Sequence, residues 1–315
     1  MMRALITGGT GFIGYHLARY LLQGGNEVIC THYGHGVSPL ESERIEKATY
    51  AHLDISDAGA VEKTIKEYRP DAVFHLAGQA YPVASWKDPA RTFEINVLGT
   101  IYLFESLRKY RDDASVAVAC SGAEYGDRAI SPIKEETPLM AISPYGVSKA
   151  AADMLVYQYF RSYGMSLYSL RLFGTTGPGK AGDAINDFAS QIVQLENGGT
   201  VKVGNVDTVR DISDVRDVVR AFELITRRGK KGEAYNVGSG QQYRIGDLLE
   251  KLIALSGRRL TYVQDASLIR PSDESVSYPD TSKIRAIGYV PAYTMDMTLR
   301  DVLTYHQKIV ASNNV

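Results

Sequence analysis

Arg3-Ala-Leu-Ile-Thr-Gly-Gly-Thr-Gly-Phe-Ile-Gly14 decides the fold. Its first five residues read as a short buried strand, and the amphipathic run over 12–23 reads as a helix. Glycines at 8, 11 and 14 join the two directly. The early glycines permit a tight turn and close approach of backbone to a pyrophosphate, and the last lets helix pack on strand. The helix N-terminus adds unpaired N–H groups and the positive end of its dipole. A dinucleotide site is therefore expected at Gly8, Thr10, Gly11, Phe12, Ile13 and Gly14.

Outward from this turn, apolar strand-like runs at 27–31, 50–54, 72–76, 115–120 and 166–172 alternate with helical patterns at 57–68, 89–110 and 144–163. That rhythm predicts an α/β fold, a Rossmann-type doubly wound parallel sheet with helices on both faces. After Arg171 a loop signal, Gly174-Thr-Thr-Gly-Pro-Gly-Lys-Ala-Gly182, replaces it. Helical periodicity returns at 183–197, 214–227, 245–256 and 295–309, and the apolar run 234–237 is able to rejoin the first sheet. The expected division is a dinucleotide-binding domain over 1–173, with a return segment at about 210–238, and a smaller α/β substrate domain over 174–209 and 239–315.

Of 315 residues, 44% are hydrophobic and 23% charged, enough for one large or two unequal cores. A net charge of −1 gives no electrostatic case for nucleic acid or an anionic membrane. The two cysteines, Cys30 and Cys120, sit in apolar strand-like runs, so a disulfide framework is not expected. No apolar run approaches a membrane span and no signal-peptide pattern opens the sequence. A cytoplasmic protein is expected, with no metal site.

An acid at the end of the second strand would hold the adenosine ribose diol of NAD. Here the strand ends Ile29-Cys-Thr-His-Tyr33, with no carboxylate before Glu41. This favours NADP(H), NAD(H) being the alternative, with His32 or His35 as a partial positive charge beside the 2′-phosphate, or else as plain loop surface. Asp54-Ile55 after the third strand is placed to reach adenine, unless Asp54 only serves the following helix start. Leu76-Ala77-Gly78 after the fourth strand is placed to line the phosphates.

The chemistry lies in Cys120-Ser-Gly-Ala-Glu-Tyr-Gly126 and Ser143-Pro-Tyr-Gly-Val-Ser-Lys149. Ser121 ends the fifth strand at the carboxyl edge, where open α/β sheets bind ligands. Tyr145 and Lys149 stand at i and i+4, on one helix face. A lysine ammonium beside a phenol is expected to lower the phenol's pKa and make the pair proton-transfer machinery.

Together, Gly8/Gly11/Gly14, Asp54, Leu76-Ala77-Gly78, Asn96 in Phe93-Glu-Ile-Asn-Val-Leu-Gly-Thr100, Ser121 and Tyr145/Lys149 resemble the extended short-chain dehydrogenase/reductase family, in its nucleotide-sugar branch. The resemblance spans essentially the whole chain. It implies that Ser121, Tyr145 and Lys149 are catalytic, with Tyr145 exchanging a proton with a sugar oxygen while hydride passes to or from nicotinamide. Asn96 would join the cofactor residues. Arg210, within Gly204-Asn-Val-Asp-Thr-Val-Arg210, and Arg270, within Arg270-Pro-Ser-Asp273, would hold a nucleotide diphosphate between two guanidinium forks. Gln79, Tyr81, Glu124 and Gly174 complete the implied substrate contacts. Family members often carry an asparagine where this chain has Gly174, so that contact is missing.

Dehydratases of the family place a glutamate two residues after the catalytic serine or threonine. Here that residue is Ala123, with Glu124 one place late, so dehydration is disfavoured. The implied activity is NADPH-dependent reduction of a nucleotide-linked 4-keto-6-deoxyhexose, GDP-4-keto-6-deoxy-D-mannose to GDP-D-rhamnose. An NAD-retaining 4-epimerase is the alternative, and a binding protein without chemistry a further one. Ile101, Leu103, Phe104, Met154, Val156, Tyr157 and Phe160 place apolar residues on more than one face of two helices, and the resemblance implies a homodimer built on them.

Overall fold

The residues Arg3–Thr7 form strand β1, buried from Ala4 to Thr7, in a computed structural model that describes residues 1–34, 45–127, 132–268 and 276–313. The chain continues through α1 (Phe12–Gln23), β2 (Glu27–His32), β3 (Thr49–His52), α2 (Ala58–Tyr68), β4 (Ala72–His75), α3 (Pro82–Lys87), α4 (Pro89–Phe93), α5 (Gly99–Tyr110), β5 (Ser115–Ser121), α6 (Pro144–Tyr163) and β6 (Ser166–Leu172). Its second half adds β7 (Gly174–Thr176), α7 (Ala184–Gln194), β8 (Thr200–Val203), β9 (Val209–Arg210), β10 (Ile212–Asp214), α8 (Val215–Arg228), β11 (Ala234–Val237), β12 (Tyr243–Arg244), α9 (Ile245–Ser256), β13 (Thr261–Gln264), β14 (Val276–Ser277), α10 (Ser282–Ala286) and α11 (Met295–Asn313).

Seven parallel strands make the main sheet in the order β11-β6-β5-β4-β1-β2-β3. Strand order reverses between β1 and β4, the place where doubly wound sheets open a ligand crevice. Side chains alternate cleanly across the sheet. Ala4, Ile6, Ala72 and Phe74 pack toward α1 and α8, while Leu5, Val73, Val116 and Val118 pack toward α2, α5 and α6. A third core joins α7, α9 and α11 through Phe188, Leu249, Leu252, Leu299 and Val302. No helix of the described residues is long and apolar enough to cross a membrane. Cys30 and Cys120 are free, buried thiols.

Two expectations change. The helix expected over 89–110 is interrupted at Glu94–Leu98 by a π-turn. There Thr100 Oγ1 donates to the Asn96 carbonyl at 2.7 Å, and Gly99 lies so close to Ile55 that a Cβ would sit 3.0 Å from its carbonyl oxygen. Part of the expected loop after Arg171 is strand: Gly174–Thr176 pairs in parallel with Ile212–Asp214.

A buried polar relay fixes the switch point. The N–H groups of Leu76 and Ala77 donate to Thr7 Oγ1, each at 3.1 Å. Because Thr100 gives its hydroxyl proton to Asn96, it accepts from His75 Nε2 (3.1 Å), so His75 Nδ1 accepts from the Thr7 hydroxyl (2.8 Å). The ring is therefore neutral, and burial, aided by the Lys149 charge, lowers its pKa to about 3. An unfolded chain takes up this proton below pH ~6.5 while the folded one refuses it, so stability falls as pH drops from there toward the folded value. His75→Gln is expected to lose stability less steeply between pH 6 and pH 4, by about 1.4 kcal/mol per pH unit, in urea unfolding. Equal slopes for the two proteins would remove His75 from the account.

Candidate active site

The carboxyl ends of the main strands open into a cavity of about 680 Å³, within the size range of small-molecule sites. Its floor is the turn after β1. Gly8 has φ +68, and a Cβ there would lie 3.0 Å from the Ala77 nitrogen; a Cβ on Gly14 would strike the Gly8 carbonyl. Gly9 N–H donates to the Thr31 carbonyl at 2.8 Å, which ties the turn to β2. Helix α1 has no side-chain cap at Gly11, so its first-turn N–H groups stay available to an anion in the cavity. Gly8, Thr10, Gly11, Phe12, Ile13 and Gly14 all line this space, as do His32, Asp54, Ile55, Leu76, Ala77 and Gly78.

Under β2 and β3, Asp54 Oδ1 accepts from Ser56 N–H (2.9 Å) and Ser56 Oγ (2.6 Å), and Arg91 lies 3.6 Å from Oδ2. Burial pushes its pKa up, but Ser56 and Arg91 outweigh that and hold the carboxyl below its usual range. The cap of α2 is Asp57, so Asp54 is not consumed by the helix start. His32 packs edge-on to His52, with ring centroids 5.6 Å apart. His35 and Arg270 fall outside the described residues.

On the far side of the switch point stand Ser121, Tyr145 and Lys149, all lining the same cavity. Ser143 caps α6 by accepting from Gly146 N–H at 3.1 Å, and Pro144 presets the first helical position, which puts Tyr145 on the first turn. That turn lies against the 3₁₀ turn Gly122–Tyr125: a Cβ on Gly146 would sit 2.6 Å from the Ala123 carbonyl oxygen. The contact brings the Tyr145 hydroxyl close enough to the Ser121 side chain for that hydroxyl to draw the phenol pKa down.

The expected effect of lysine on tyrosine is not what the structure holds. Burial, with the Glu124 charge adding to it, raises the Tyr145 pKa to about 12 despite the Ser121 hydroxyl. Burial also lowers the pKa of Lys149, whose ammonium donates to the Ala119 carbonyl at 2.8 Å. Tyr145 therefore keeps its proton at neutral pH. A Cβ on Gly78 would lie 3.4 Å from Lys149 Nζ, so the bare backbone at 78 leaves the ammonium a path into the cavity.

Three other expectations need correction. Asn96 is not a lining residue: its Oδ1 accepts from Gln79 N–H (2.8 Å), and its Nδ2 donates to the Gln79 carbonyl (3.1 Å) and Ser148 Oγ (2.9 Å). It holds the Gly78–Gln79 backbone from beneath. Glu124 is fully buried behind Ser121 and cannot touch a substrate. Gly174 lines the cavity and, as expected, brings no side chain to it, since a Cβ would collide with the Asp211 carbonyl. Gln79 and Tyr81 do line the cavity. Arg210 is half-buried on β9, donates to the Val209 carbonyl at 3.0 Å, and is not among the lining residues.

Two lining cations escaped the sequence reading, Arg91 and Lys180. Lys180 rises from the glycine-rich loop, donates to the Thr175 carbonyl and stands 5.8 Å from the Phe12 ring centroid. Its signal was a single lysine inside Gly177-Pro-Gly-Lys-Ala-Gly182, which looks like a surface turn.

A family model described as GDP-mannose 4,6 dehydratase matches residues 5–302. GDP-6-deoxy-D-mannose reductase of Pseudomonas aeruginosa is 32% identical over 309 residues, covering 96% of this chain and 96% of that protein. The structure of RMD from Pseudomonas aeruginosa complexed with NADPH matches at TM-score 0.83 and 31% identity, over 98% of this chain and 100% of the other. UDP-glucose 4-epimerase from Thermotoga maritima, solved with UDP-glucose, matches at TM-score 0.90 and 27% identity, over 98% and 100%. The chain belongs to the GDP-mannose 4,6-dehydratase family of extended short-chain dehydrogenase/reductases and is an NAD(P)-dependent oxidoreductase.

Proposed function

We propose that this protein reduces a nucleotide-linked 4-keto-6-deoxyhexose with NADPH, converting GDP-4-keto-6-deoxy-D-mannose to GDP-D-rhamnose. The observation that carries the reading is Tyr145, a phenol that keeps its proton and stands with Ser121 and Lys149 in a cavity floored by the glycine turn. Reduction of a ketone needs a proton donor at the oxygen, and a raised pKa keeps that donor loaded. Dehydration needs a carboxylate beside the sugar, yet position 123 is alanine and Glu124 is buried behind the turn. The reductase relative favours the same chemistry.

The turn, the uncapped start of α1 and the cavity volume suit a dinucleotide. Bound reduced nicotinamide supplies the hydride. Tyr145 gives its proton to the sugar 4-oxygen, Ser121 orients that oxygen, and Lys149 is placed to hold the nicotinamide ribose. Among the described lining residues Asp54 is the one carboxylate, and Ser56 and Arg91 already engage it. With His32 ending β2, this leaves no acid to repel a 2′-phosphate there and favours NADPH. Residues 1–173 and 210–238 would hold the cofactor, and 174–209 with 239–315 the nucleotide sugar.

The reading also takes the protein as a cytoplasmic homodimer. Leu103, Phe104 and Val156 are absorbed by the chain's own core, but Met154 and Tyr157 of α6 are 68% and 59% exposed, with Val147 exposed along the same helix. An apolar stripe of this kind fits a second copy. Sedimentation at micromolar concentration should report a dimer, and a monomer would contradict it.

Purified protein offered several nucleotide 4-ketosugars should consume NADPH with the GDP-linked 6-deoxy substrate. An epimerised product without net loss of NADPH absorbance would point to the 4-epimerase instead. Tyr145→Phe is expected to lower turnover by about 10²-fold or more while sparing cofactor affinity, and wild-type turnover in that variant would place the proton donor elsewhere. Arg210→Ala is expected to raise KM for the nucleotide sugar with kcat largely kept, and an unchanged KM would remove it from the site.

A further inference from the structure

We propose that Glu124 is a positioning residue for the proton-transfer step: its carboxyl clamps the Ser121 backbone, and its charge state sets how readily Tyr145 gives up its proton. The inference rests on the reading of Tyr145 given above. Glu124 ends a capping box in which Ser121 Oγ accepts from Ala123 N–H (3.2 Å) and Glu124 Oε1 accepts from Ser121 N–H (2.7 Å). The clamp fixes the residue whose hydroxyl acts on Tyr145 in the shared cavity.

The second oxygen, Oε2, is buried with no hydrogen-bond partner. The nearest cation is Arg171, whose Nε stands 3.5 Å away. That guanidinium is already committed. Its Nε donates to Asp153 at 2.9 Å and a terminal nitrogen donates to the same carboxylate. The other terminal nitrogen donates to the Tyr125 hydroxyl (2.7 Å) and the Glu135 carbonyl (2.9 Å). Two carboxylates thus share one guanidinium in a sealed site, and Glu124 has the weaker claim. A buried carboxylate with one oxygen lacking a hydrogen bond and only a shared cation is costly, so the site holds a proton at higher pH than water would allow. Burial, followed by the charge of Asp153, raises the Glu124 pKa to about 8.

The groups facing Glu124 are Cys120 and Tyr125 on its own segment, Tyr145, Lys149 and Asp153 on α6, and Arg171 on β6. Among these Tyr145 is the one that moves a proton in the proposed reaction. A negative Glu124 disfavours the phenolate and so raises the Tyr145 pKa. As the medium turns alkaline Glu124 ionises first, and its new charge keeps Tyr145 protonated over a further range of pH.

Glu124→Gln keeps an oxygen for the Ser121 N–H and removes the charge. The ratio of its turnover to wild type is expected to be flat through neutral pH and to fall only where the alkaline limb of kcat is reached, that limb lying about one pH unit lower in the variant. A ratio that stays flat across the whole range overturns the proposal. The second readout needs no substrate. With tyrosine carbon-13 labelled at Cζ, the signal lost in Tyr145→Phe should shift in a step centred near pH 8 in the wild-type protein, and the step should vanish in Glu124→Gln. Absence of the step in wild type overturns the proposal even if the variant does not fold. Failure of the parent reading looks different: Tyr145→Phe would then retain turnover, while the carbon-13 step would still report on Glu124.

Discussion

The meeting of Tyr145 and Ser121 in one cavity depends on two backbones lying almost in contact. The first turn of α6 touches the turn after β5 where Gly146 meets the Ala123 carbonyl, and at 146 no side chain larger than hydrogen fits. Everything that makes the cavity reactive follows from that approach, since Ser121 belongs to a strand and Tyr145 and Lys149 to a helix some twenty residues further on. Distant groups hold the two elements together. Arg171 on β6 binds Asp153, one turn beyond Lys149, and Tyr125 at the end of the 3₁₀ turn. Breaking a buried pair of this kind typically costs about 3–5 kcal/mol, a large part of a domain's net stability. The ion pair is therefore a brace for the site rather than a surplus contact.

The same economy of polar groups governs the cofactor side. Thr7, His75, Thr100 and Asn96 form a chain in which each donor meets one acceptor, and the chain ends beneath Gly78–Gln79. The backbone facing the cavity is thus set by side chains that never enter it. Each such buried group would cost about 1–3 kcal/mol if left unpaired, so the arrangement tolerates little movement. A rigid floor of this sort suits a reaction that depends on placing a ring and a carbonyl within a few tenths of an ångström.

Much of this was legible in the sequence. The strand, the three glycines and the α1 pattern located the floor, because the backbone geometry there admits few other residues. The apolar strand-like runs found all seven strands of the main sheet, for all but the edge strand β3 are largely buried. The spacing of Tyr145 and Lys149 placed both on one face, as expected. What sequence spacing could not carry was the balance of burial against charge, so the direction of the Tyr145 shift was misjudged. Asn96, Glu124, Arg91 and Lys180 show the complementary gap. Whether a polar side chain faces the cavity or props it from behind depends in part on partners distant in the chain, as Asn96 with Gln79 and Ser148, and Glu124 with Arg171, illustrate. The π-turn at Glu94–Leu98 adds one residue to a helix and turns Asn96 inward, a shift that periodicity alone does not announce.

The central claim is that one neutral phenol meets a sugar carbonyl beside the nicotinamide. A crystal structure of the protein with NADPH and the 4-keto nucleotide sugar, or an unreactive analogue of it, tests this most directly. The account predicts the Tyr145 hydroxyl and Ser121 Oγ both within about 2.6–3.2 Å of the sugar 4-oxygen, with the adjacent carbon facing the nicotinamide. A bound sugar whose 4-oxygen is turned toward other residues, with Tyr145 out of reach, would contradict it.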